Sequence, residues 1–166
     1  MANIPYYQQK DIENIKKLRE MMKELPPFCT EFFRGIEPRT STRTRIAYAY
    51  DLSVFFDFLK KENPVFAKME RMDFKLEQLD QIKVTDIEEY MEYLKYRFNE
   101  QNHEIMNQER GIMRKISSLK SFYNYFFRTE KLTTNPAALV RLPKLHDKEI
   151  IRLDVDEVAL LLDAVE

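Results

Sequence analysis

Two glycines, one cysteine, two histidines and no tryptophan stand among 166 residues, and each scarcity removes a class of chemistry. Gly35 and Gly111 cannot form a glycine-rich phosphate cradle, which needs close backbone approach at several successive positions. Dinucleotide and P-loop binding by those routes are excluded. The lone Cys29 permits neither an internal disulfide nor a thiolate metal cage. His103 and His146 lie in polar segments with no second His or Cys at ligand spacing, so no metal is expected. No apolar run exceeds the five residues Val158 to Leu162, against roughly 20 for a bilayer span, and no apolar leader opens the chain. The expected setting is a reducing cytoplasm. None of the nine tyrosines falls in a nucleophile or acid/base motif, so no catalytic residue and no cofactor is expected.

What is present is helical. Apolar residues recur at spacings of three and four in a background rich in Leu, Met, Glu and Lys, and no strand alternation is long enough to compete. The spacing predicts a helix over 10–25 stopped by Pro26 and Pro27, and a short one from Pro27 to Arg34 closed by Gly35. A long helix is predicted from Ser41 to Lys61, ended by Asn63 and Pro64. Residues 64–84 read as a looser connection. Thr85 with Glu88 forms a capping box for a helix reaching Asn99, and a second long helix spans Asn107 to Arg128. A short helix from Asn135 to Leu142, a polar linker over 144–153 and a last helix over 154–166 complete the reading.

The net charge of -1 conceals segregation: residues 39–61 carry +3 and 107–148 carry +6, against -5 in both 62–106 and 149–166. Two basic stretches in an acidic chain suit a phosphate-binding face. On a wheel at about 100° per residue, Ile112, Ile116, Leu119, Phe122, Tyr123, Phe126 and Phe127 form the apolar arc of the 107–128 helix. The opposite arc holds Arg110, Arg114, Ser117, Ser118, Ser121, Asn124 and Arg128. Cations alternating with short hydroxyl side chains allow a helix to approach DNA closely and donate hydrogen bonds. The other basic stretch gathers Thr42, Arg43, Thr44 and Arg45 at a helix N-terminus, where open backbone N–H groups favour an anion. Solvated helix faces and simple N-capping by Ser41 or Thr42 are the alternative readings of both clusters.

Three stretches carry a family resemblance: Thr44 to Leu59, with Tyr48, Asp51-Leu52, Phe55 and Phe58-Leu59; Val84 to Met91; and Arg114 to Tyr125. The third is followed by Thr134-Asn135-Pro136-Ala137, Leu142-Pro143-Lys144 and Leu153 to Val158. In this order and spacing, over 39–166, the chain resembles the tyrosine recombinases, or phage integrases, and specifically their N-terminal core-binding domain. The resemblance implies an all-α, orthogonal, SAM-like helical bundle forming half of a clamp on duplex DNA, with sister recombinase protomers as further partners. It implies DNA contacts from Thr42, Arg43, Thr44, Arg45, Arg110, Arg114, Ser117, Ser118 and Ser121. It also implies that a tyrosine nucleophile with its basic assistants belongs to a catalytic domain that would follow Glu166. Residues 1–38 are then an N-terminal helical extension, 39–143 the core-binding domain, 144–153 a linker and 154–166 the first catalytic-domain helix. A helical protein-interaction module with no nucleic-acid role is the rival, supported by the net charge and the acidic segment 62–106.

Overall fold

In the computed structural model, which describes residues 3–144, the predicted periodicity becomes an all-α bundle. Its helices are α1 (Tyr6–Met22), α2 (Cys29–Ile36), α3 (Thr42–Glu62), α4 (Pro64–Ala67), α5 (Val84–Lys95) and α6 (Glu109–Arg128). A two-stranded hairpin, β1 (Arg97–Phe98) and β2 (Glu104–Ile105), lies between α5 and α6, with Arg97 opposite Ile105. The predicted linker beyond Lys144, the final helix and His146 fall outside the described residues.

Aromatic side chains make the centre. Phe122 of α6 meets Phe32 of α2 at 5.3 Å between ring centroids, Phe126 at 5.1 Å and Phe56 of α3 at 6.2 Å. Tyr90 of α5 lies 5.1 Å from both Phe55 and Phe58. These pairs, edge-to-face except for the tilted Phe58–Tyr90, add directional preference to hydrophobic burial. The same core takes Leu18 from α1 and Leu25 from the following turn. Leu18 and Leu25, in the segment expected to precede the domain, thus pack in one cluster with side chains of α3 and α6.

Several local expectations are corrected. Gly35 lies inside α2 without a positive φ, and a side chain there would collide with the ring of Tyr125. It serves helix contact rather than helix termination. Lys83, not Thr85, is the N-cap of α5, and its backbone N–H donates to Asp86 Oδ2 at 2.8 Å. That helix stops at Lys95, four residues before the predicted end, because Arg97 and Phe98 enter the hairpin. Residues 64–84 are ordered as α4 and two 3₁₀ turns, Arg71–Asp73 and Leu76–Gln81, with Phe66, Phe74 and Leu79 buried. The helix predicted over 135–142 is reduced to the 3₁₀ turn Pro136–Ala138, capped by Asn135. Asp80 binds the nearby chain, its Oδ1 accepting from the N–H groups of Thr133 and Thr134 and from the Thr134 hydroxyl.

Candidate nucleic-acid interface

The starting point is the outer face of α6. Arg110, Arg114, Ser117, Asn124 and Arg128 are exposed and Ser121 is half-buried, at steps of three and four that place them in one stripe. At 1.5 Å per residue the stripe runs about 27 Å. The apolar arc is buried as predicted except for Phe127, which is exposed. The other basic stretch opens α3, with Ser41 and Arg43 exposed and Thr44 half-buried. Ser41 is the N-cap, its Oγ accepting from the Thr44 N–H at 3.2 Å.

Three of the nine expected contact residues are buried. The Thr42 hydroxyl donates to Asp11 Oδ1 at 2.8 Å and accepts from Asn14 Nδ2 at 3.2 Å, tying α3 to α1. Arg45 turns back over the preceding segment, and its Nη1 donates to the carbonyls of Glu37 at 3.0 Å and Thr40 at 2.6 Å. Glu37 O already accepts from the Thr40 N–H that closes the 3₁₀ turn, and the guanidinium adds a further donor at this chain reversal. Ser118 lies at the edge of the polar arc, where it faces α3: its Oγ donates to Asp51 Oδ2 at 2.6 Å. None of the three presents its side chain to a surface ligand.

The residues around Asp51 are what the wheel missed. Asp51, Lys115 and Ser118 are all buried at the α3–α6 contact. Lys115 Nζ donates to Asp51 Oδ1 at 3.0 Å and sits 4.7 Å from the centre of the Tyr50 ring. Arg114 Nη2 reaches the same Oδ1 from outside at 3.6 Å, with 61% of its side chain exposed. Tyr50, itself 43% exposed on the seam, accepts from Arg97 Nη2 at 3.4 Å. Burial pushes the nearby Tyr90 hydroxyl well up, and the negative charge of Asp51 pushes it further. The available signal was Lys115, which falls between Phe122 and Phe126 on the wheel and so needed a buried counter-ion.

Burial also raises the Cys29 thiol, which keeps it from acting as a thiolate. Among the described residues no group of three or more His, Cys, Asp or Glu side chains could hold a metal ion, and no helix is long and apolar enough to cross a membrane.

Comparison with known proteins decides the family. The chain is 34% identical over 148 residues to "Tyrosine recombinase XerC" of Caldanaerobacter subterraneus subsp. tengcongensis, covering 85% of this chain and 40% of that protein. It is 30% identical over 157 residues to the protein of the same name in Chlorobaculum tepidum, covering 95% of this chain and 40% of the relative. The chain belongs with the tyrosine recombinases. It spans about 40% of the length of these relatives and matches their N-terminal part. A third relative of that name, from Anoxybacillus flavithermus, is 31% identical over 113 residues, covering 68% of this chain and 31% of that protein. No protein-family model and no solved structure matches the chain.

Proposed function

We propose that this chain is the DNA-binding, core-binding part of a site-specific tyrosine recombinase, acting in DNA integration and recombination with duplex DNA and sister protomers as partners. The observation that carries the reading is the outward stripe Arg110, Arg114, Ser117, Ser121, Asn124 and Arg128 on α6, of which all but Ser121 are exposed, together with exposed Arg43 at the start of α3. A helix face about 27 Å long with cations at intervals and small hydroxyls between them suits the major groove, whose width admits one helix. The arginines supply phosphate contacts that set register, and the serines let the backbone come close. Cleavage and rejoining through a tyrosine nucleophile is the reading for a longer parent protein. No residue of this chain is assigned to that chemistry.

The interaction-module alternative has one observation behind it. A groove of about 670 Å³ is lined by Val84, Met91, Ile112, Leu139 and Pro143 and edged by Glu88, Glu92, Glu109, Lys95 and Arg141, with Leu139 72% exposed. Fluorescence anisotropy of a labelled mixed-sequence duplex with the 166-residue chain separates the two readings. Micromolar or weaker binding that falls steeply as salt rises is expected, because bound cations displace condensed counterions. Absence of binding at low salt, or indifference to salt, would overturn the DNA reading.

A further inference from the structure

We propose that Asp51 is a positioning residue for Arg114, and that with Lys115 and Ser118 it forms a buried seat that sets which face of α6 meets DNA. The inference rests on the DNA-binding reading above and adds to it a residue that touches no ligand.

The arrangement has an unequal share of charge. The two oxygens of Asp51 are taken from inside, Oδ2 by the Ser118 hydroxyl at 2.6 Å and Oδ1 by Lys115 at 3.0 Å. Lys115 alone neutralises the buried carboxylate, and both residues lie almost wholly out of solvent. Arg114, adjacent in sequence but pointing outward, holds the same oxygen only at 3.6 Å. Its charge is therefore surplus to the buried pair. The carboxylate orients the guanidinium without cancelling it, and an anion arriving from outside can take over the outward N–H groups while Lys115 stays in place. Geometry restricts the alternatives: Ser118 and Lys115 are three apart on α6, and both reach Asp51 only at one rotation of that helix about its axis. The same rotation turns Arg110, Arg114 and Ser117 outward. An apolar contact would tolerate a small slip here, whereas a buried ion pair with a directed hydroxyl does not.

A thermodynamic cycle in DNA affinity tests this in the 166-residue chain. Asp51→Asn with Lys115→Met removes both buried charges, so net charge is unchanged and neither ion is left unpaired. Arg114→Ala is made in the natural and in the doubly changed background. Thermal melting monitors the fold, and anisotropy of a labelled mixed-sequence duplex is followed across a salt series. In the natural background Arg114→Ala is expected to weaken binding about tenfold and to lower the salt slope by about one. In the doubly changed background binding is already weakened to that extent, and Arg114→Ala adds little. A full tenfold effect of Arg114→Ala there would overturn the inference while leaving DNA binding intact. If the double change fails to fold, Ser118→Ala replaces it: it frees one carboxylate oxygen and keeps both charges. The Arg114→Ala effect should then shrink by at least half, and an undiminished effect overturns the inference. Loss of salt-dependent DNA binding by the unaltered chain would remove the underlying reading and this inference together.

Discussion

Asp57 shows how one carboxylate can cost stability even with a guanidinium beside it. Arg71 Nη1 donates to Asp57 Oδ1 at 3.0 Å, yet Asp57 titrates above the ordinary Asp range: burial disfavours its charged form more than Arg71 and its other cationic neighbours favour it, and Glu100 raises it further. A folded-state value above the unfolded one means a contribution to stability that is present below the unfolded value and lost as pH rises through the folded value. At neutral pH the ionised carboxylate therefore weighs against the fold. Asp57→Asn removes the charge and keeps an oxygen for Arg71. Its melting temperature is expected to match or exceed that of the unaltered protein near neutrality, with the advantage shrinking as pH falls through the titration of Asp57. Melting curves across the acid range check this, and a variant less stable at every pH would show that pairing with Arg71 outweighs burial.

At the scale of elements, α3 and α6 were legible because each buries a long apolar arc, and Leu52, Phe55, Leu59, Ile116, Leu119 and Phe122 repeat at helical spacing. The hairpin was not legible, since two paired residues per strand leave no alternation to read, and the ordered turns of 64–84 bury single aromatics rather than a periodic face. In each basic cluster a polar side chain read as facing solvent is taken inward by a partner: Arg45 by the carbonyls of Glu37 and Thr40, and Ser118 by Asp51. The two faces of α6 should fail in different assays. Ile116→Ala truncates a fully buried side chain and is expected to cost about 2–5 kcal/mol of stability, read by denaturant unfolding. Ser117→Leu adds bulk on the exposed stripe and is expected to leave stability within about 0.5 kcal/mol while weakening DNA binding severalfold. Equal DNA affinity in Ser117→Leu would place the interface elsewhere.

For the whole molecule, the question is whether α1 is an appendage or a wall of the core. In the sequence, residues 1–38 stand apart as an extension because the family resemblance begins at residue 39 and does not cover the helix over 10–25. Tertiary packing argues otherwise. Leu18 and Leu25 are buried in the same cluster as the α3 and α6 aromatics, and Asp11 and Asn14 bind the hydroxyl of Thr42 at the first turn of α3. Removing residues 1–25 would strip two buried leucines, each worth about 2–5 kcal/mol on truncation alone, from a domain whose total stability is on the order of 5–15 kcal/mol. It would also leave Thr42 and the outer face of α3 open to water. The expected result is a loss of at least about 5 kcal/mol, seen as a melting transition that is strongly lowered or no longer cooperative, with weaker DNA binding following from the loss of fold. An unchanged melting temperature and unchanged denaturant slope would show α1 to be an independent extension, since a helix that shares the core cannot be removed without exposing it.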